Sequence, residues 1–263
     1  DSICTRGQAY GFDGVDFRGY LDQIDITMLP EFTTRSAETY QKLQDAGLAV
    51  SGISSSIHVC VPEDLEKNLE EARRTIDVAK SFKAVNIRIF GGGDLDRFSR
   101  EELAKFGCET VSHILQLDGA SDLKWLFETH DNWVQAEHSH LLLDNIPDPA
   151  FGALWDMGHT WRVGREQPAD SWNAIGSRVG YTHIKDALYD PDSSLAMEDG
   201  WQYVAPGTGE LPLDESLALL DQAGYDGWLL FEHEKRWHAN LAEPEEIFPQ
   251  FVSWTRNKFP RND

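Results

Sequence analysis

Short apolar runs alternate with amphipathic stretches along the whole chain, and this alternation restricts the fold more than any single motif. Runs near 14–18, 49–57, 85–90, 124–129, 151–156, 180–185 and 227–233 have strand length and no clean polar/apolar alternation. Strands covered on both faces of a parallel sheet read that way. The segments between them have helical periodicity. In the clearest, Leu65, Leu69, Ala72, Ile76 and Ala79 form one stripe, and Pro62, Glu63 and Asp64 suit a helix start, where a missing donor is harmless and the dipole favours negative charge. Strand, helix, strand repeated this often predicts an α/β fold. At 263 residues the expected architecture is one TIM (β/α)8 barrel domain spanning 1–263.

One junction occurs twice. Gly11-Phe12-Asp13-Gly14 and Gly224-Tyr225-Asp226-Gly227 each place a glycine where a helix would end in a left-handed cap and a second glycine where a strand would start. If Gly11 ends a helix, residues 1–10 are that helix and only seven strands follow. The expectation is that the first strand of the barrel is missing from this sequence and lies upstream; the alternative is an open seven-stranded barrel with two exposed edges.

Four strand-like runs, LKWLFETH, FGALWDMGH, VGYTHIKD and GWLLFEHE, each end in a residue able to bind a divalent metal: Glu128, Asp156, His183 and Glu232. Strand alternation puts Leu126, Glu128 and His130 on one face and Trp125 and Phe127 on the other, groups His183 with Lys185, and groups Glu232 with Leu230 and Glu234. Barrels of this type carry their active sites at the C-terminal strand ends. Three carboxylates and an imidazole suit one divalent metal ion, Mn, Mg, Co, Fe or Zn. Lys185 and Arg88, at strand ends, are candidates to neutralise negative charge developing on a substrate oxygen. His58, at the end of another strand, is a further candidate substrate contact. Trp133, Trp161 and Trp237 follow ligand strands and are candidates to stack on a sugar ring, while His130, His233 and His238 are expected farther from the chemistry.

The net charge of −22 and pI near 4.6 oppose binding to nucleic acid or an anionic membrane, and no apolar stretch reaches the roughly 18–20 residues of a membrane span. Cys4, Cys60 and Cys108 are odd in number and lack a CxxC spacing, which reads as reduced thiols in a cytoplasmic protein. A homo-oligomer is compatible with this composition. Gly207-Thr208-Gly209 before LPLDESLALL is a candidate phosphate cradle, with a plain turn as its competitor, and Gly91-Gly92-Gly93 reads as a tight turn.

The ordered set FETH, WDMGH, HIKD, Gly-x-Gly, GYDG and FEHE resembles the sugar phosphate isomerase/epimerase family, which has a xylose-isomerase-like TIM barrel and includes ketose 3-epimerases and inosose dehydratases. The resemblance runs from about Gly11 to Trp254. It implies that Glu128, Asp156, His183 and Glu232 hold the metal, that Glu128 and Glu232 also form the catalytic proton-transferring pair, and that His159 contacts substrate. The implied activity is a metal-dependent sugar isomerase or epimerase that transfers a proton alpha to a carbonyl, the ion balancing the enediolate charge. A small-molecule carbohydrate is the implied substrate. The alternatives are a dehydratase of an inosose or dehydroshikimate-like polyol ketone and a non-catalytic sugar-binding barrel. A DNA-repair role like that of the endonuclease IV relatives is opposed by the charge and by the lack of histidine in 186–205.

Overall fold

A computed structural model describes residues 1–259. In chain order the helices and strands are α1 (Ser2–Tyr10), β1 (Gly14–Phe17), α2 (Ser36–Asp45), β2 (Ala49–His58), α3 (Leu65–Phe82), β3 (Asn86–Phe90), α4 (Arg100–Leu115), β4 (Lys124–Glu128) and α5 (Ala136–Asn145). Then come β5 (Phe151–Asp156), α6 (Met157–Arg162), α7 (Pro168–Ile175), β6 (Val179–Ile184), β7 (Asp186–Tyr189), β8 (Trp201–Val204), α8 (Leu213–Gln222), β9 (Leu229–Phe231) and α9 (Pro244–Lys258). Short single turns of tighter helix punctuate the loops.

Seven strands pair in parallel in the order β1-β2-β3-β4-β5-β6-β9, with helices outside, giving a nearly closed TIM-type barrel. All seven expected strands are present. Among the described residues β1 and β9 do not pair. A cavity of about 640 Å³, lined by α1, β1, β9 and α9, stands between them. The expected helix ends hold: Gly11 and Gly224 have φ of 80° and 67°, a region glycine enters without steric cost.

Two strands were not expected from the sequence. β7 and β8 form an antiparallel hairpin over the C-terminal end of the barrel, and its tip contains the polar stretch Asp190-Pro191-Asp192-Ser193-Ser194.

The core has the two layers that strand parity requires. Trp125, Phe127, Phe151 and Trp155 face outward into the large cluster beneath the helices. Leu126, Leu154 and Tyr181 face inward and pack with Trp228 and Leu230 to fill the lumen. The stripe of α3 is buried along Leu69, Ala72, Ile76 and Ala79. Burying several such side chains, at about 1.5–3 kcal/mol each, holds this amphipathic helix on the sheet. Beside this plug, Asp16 on β1 accepts hydrogen bonds from Ser54 Oγ at 2.7 Å and from the hydroxyl of the plug residue Tyr181 at 2.9 Å, tying β1, β2 and β6 together across the barrel. No described helix is long and apolar enough to cross a membrane.

Candidate active site

Four inward-facing residues converge where the parallel strands end. One donor atom each from Glu128 (β4), Asp156 (β5), His183 (β6) and Glu232, which follows β9, all lie within 4.8 Å of one another. The first three are at most 2% exposed. Register explains the convergence: Glu128 pairs with Leu154, two residues before Asp156; Asp156 pairs directly with His183; and His183 pairs with Leu230, two residues before Glu232, so each ligand lies level with its neighbour or one inward-facing position beyond it. Asp156 is also the N-cap of α6, accepting the His159 amide at 2.8 Å, and this fixes its rotamer.

The cluster is electrostatically balanced. His183 Nδ1 lies 3.3 Å from Glu128 Oε1 and 3.5 Å from Glu232 Oε2. Burial alone would lower the His183 pKa, but the charges of Glu232 and Glu128 push it up to about 10. Burial likewise opposes ionisation of Asp156, yet His159 and Lys185 hold its carboxyl well below the usual range. Glu232 behaves the same way, its burial outweighed by Lys185 and His183. Glu128 is lowered by His183 against its burial. Lys185 Nζ is the hub: it pairs with Asp156 Oδ2 at 2.8 Å, with Glu234 Oε1 at 2.7 Å, and with Glu232. Burial would deprotonate Lys185, but these three carboxylates raise its pKa well above normal. Tyr203 of the hairpin donates to the same Glu234 oxygen at 2.9 Å, so the hairpin is fastened to the site.

Could these residues hold a metal? His183 Nε2 is buried without a hydrogen-bond partner among the described residues. Glu128 and Glu232 flank the other ring nitrogen, and the positive charge that the His183 proton now supplies to them is one that a bound ion would replace. The donor set of three carboxylates and one imidazole fits a divalent ion.

The remaining expected contacts fall at different places. His159 reaches the cluster, with Nδ1 at 2.5 Å from Asp156 Oδ2 and 3.2 Å from Lys185 Nζ. Arg88 is buried with its guanidinium 3.9 Å over the Phe90 ring and Nε 3.5 Å from Glu128 Oε2. His58 is half-buried and stacks on Phe90 at 5.0 Å, with Nδ1 2.8 Å from the Ser56 carbonyl oxygen. Trp161 packs edge-on against Trp201 of the hairpin at 5.4 Å.

Trp133 is fully buried and donates from Nε1 to the Gly92 carbonyl at 2.8 Å, so it is a core residue and does not stack on a sugar. It locks the Gly91-Gly92-Gly93 turn, where a side chain at Gly91 would come within 2.0 Å of the indole. The Gly207-Thr208-Gly209 loop is occupied by the protein's own anion. Asp186 accepts the amides of Gly207 at 2.8 Å and Gly209 at 2.9 Å, which leaves no cradle for phosphate. His130 lies nearer the chemistry than expected: its ring is 4.4 Å from that of His159, and burial lowers its pKa, so it is a neutral imidazole at the mouth.

The model of the family described as xylose isomerase-like TIM barrel matches residues 5–258. A 3-dehydroshikimate dehydratase of Bacillus anthracis is 27% identical over 218 residues, covering 81% of this chain and 75% of its own. Inosose dehydratase 2 of Bacillus cereus is 28% identical over 160 residues, 57% of this chain and 52% of that protein. Among solved structures, the IOLI protein with a bound zinc atom superposes with a TM-score of 0.76 at 16% identity, over 96% of this chain and 90% of its own.

Proposed function

The chain belongs to the xylose isomerase-like TIM barrel family, and from that premise we propose that it is a divalent-metal-dependent enzyme that removes a proton alpha to the carbonyl of a polyol ketone, with loss of a β-hydroxyl as water. The observation that carries this reading is the convergence of Glu128, Asp156, His183 and Glu232 within 4.8 Å at the strand ends. Zinc in the IOLI protein and the dehydratase activities of the two relatives support it. A bound ion would be held by those four side chains and would supply positive charge to the substrate oxygens. Lys185 and His159 hold Asp156 and Glu232 in place and keep them ionised. His130, a neutral imidazole two residues beyond the end of β4, has the protonation state a base needs at neutral pH.

Isomerisation or epimerisation is the second reading, and one observation favours it. Glu128 ends β4 and Glu232 follows β9, strands separated by β5 and β6, so the two carboxylates reach the His183 ring from different strands of the barrel. One could take a proton that the other returns.

The test is metal analysis of the purified protein, followed by incubation with inososes, dehydroshikimate and ketoses, for wild type and Glu128→Gln. An enone or aromatic absorbance marks dehydration; a new sugar isomer marks epimerisation. Protein without stoichiometric divalent metal, or a Glu128→Gln variant with unchanged turnover, would sink the proposal.

A further inference from the structure

The acidic cluster occupies one side of the barrel mouth; the β1–β3 side carries two arginines. On β1, Asp16 points into the lumen and Phe17 packs outward against Phe32 and Phe82. Arg18, one position on, therefore returns to the inner face, and its Nη1 donates to Ser56 Oγ on β2 at 3.3 Å. Arg88 lies inward on β3 and is 3% exposed. Its Nε and Nη1 are buried with no hydrogen-bond acceptor among the described residues. The Glu128 oxygen, 3.5 Å away, supplies charge but sits beyond good hydrogen-bonding distance.

A buried guanidinium with idle donors costs free energy that proteins rarely leave uncompensated. Here the cost is compounded by a second guanidinium. Burial, with the nearby Arg88 charge, brings the Arg18 pKa down to about 10, even though Glu71 and Glu128 act in the opposite direction. Those two carboxylates are already engaged: Glu71 accepts the Ser56 amide at 2.6 Å, and Glu128 is shared with His183. A chain of net charge −22 has thus gathered two cations on the inner side of β1–β3, where the charge of Glu128 reaches both. Guanidinium donors lie in one plane and match the two oxygens of a carboxylate.

We propose that Arg18 and Arg88 form a carboxylate-binding subsite, so that the substrate is a cyclic polyol ketone bearing a carboxylate, its ketone end turned to the Glu128, Asp156, His183 and Glu232 cluster. The assignment of the ketone end rests on the function proposed above; the anion subsite stands on the arginines alone. It separates the two dehydratase substrate types, because a dehydroshikimate carries a carboxylate and an inosose does not.

Calorimetric titration with two unreactive probes tests this: quinate, a cyclic polyol carboxylate, and myo-inositol, a neutral cyclic polyol. The expected result is that quinate binds wild type roughly 10- to 100-fold tighter than myo-inositol. Arg18→Gln should erase most of that preference while leaving myo-inositol binding unchanged, and Arg18→Lys should restore part of it. Equal affinities in wild type, or an unaltered ratio in Arg18→Gln, would overturn the subsite. Inorganic phosphate displacing quinate at lower concentration than benzoate does would overturn the carboxylate assignment in favour of phosphate. Manganese titration of the same samples keeps the two readings apart. Arg18-dependent quinate preference in a protein that binds no manganese refutes the metal reading and leaves the subsite standing.

Discussion

Binding of a divalent ion to the four-residue cluster should expel the proton held on His183. The imidazole sits between Glu128 and Glu232, 3.3 and 3.5 Å away, and their charges raise its pKa to about 10 against the effect of burial. At pH 7 the metal-free ring is then protonated in nearly every molecule. An incoming ion needs the neutral ring as a ligand, so it must displace a proton held about three pH units too tightly, an opposing cost of about 4 kcal/mol. The apparent association constant for Mn²⁺ should therefore climb about tenfold per pH unit between about pH 7 and 9. Calorimetry at about pH 7.5 in buffers of differing ionisation enthalpy reads the same quantity directly. Plotted against buffer ionisation enthalpy, the observed enthalpy should give a slope of about one proton per ion. In His183→Asn the slope should fall toward zero and the pH dependence should flatten, even as binding weakens. A wild-type slope near zero would show that His183 is already neutral, and the charge balance described for the cluster would be wrong.

The same histidine ties stability to pH. Its folded pKa lies above the ordinary value of 6.5, so its contribution is complete below about 6.5 and is lost as pH rises through about 10. Metal-free protein should show a falling Tm from about pH 7 to 10, and metal-loaded protein a smaller fall; parallel curves in a thermal scan would contradict this. Lys185→Met leaves Asp156, Glu232 and Glu234 without their shared cation. The metal-free variant should lose about 3–5 kcal/mol in urea denaturation, and a loss under about 1 kcal/mol would show that the ion pairs do not hold the site. Asp186→Ala orphans the amides of Gly207 and Gly209, with an expected cost of about 1–3 kcal/mol. Faster amide exchange at 207–209 should accompany it, and unchanged exchange would mean that the loop is held otherwise.

The parts of this protein that its sequence makes legible are those governed by strand period. Parity alone puts Glu128 inside with Leu126 and turns Trp125 and Phe127 outward, and the structure repeats that division in its two core layers. Each ligand of the acidic cluster ends its own apolar run, so each carries a local signal. The less legible parts depend on partners far along the chain. The hairpin of β7 and β8 hides because its strands have four residues each, and a polar loop of eleven residues, 190–200, separates them. Asp186 reads as one more acid after HIKD until the fold brings the 207–211 amides around it. Arg18 and Arg88 are seventy positions apart in the chain and feel each other's charge only because β1, β2 and β3 are neighbours in the sheet. Yet one signal for Arg18 lies in Gly14-Val15-Asp16-Phe17-Arg18. Two charged residues alternate with apolar ones in a strand whose outer face must lie under helices, so both charges have to point into the barrel. A charge on the inner register of a buried strand needs a partner, and Asp16 finds Ser54 and Tyr181 in the protein. For the arginines, with Arg88 Nε and Nη1 left idle, the same requirement points to the ligand.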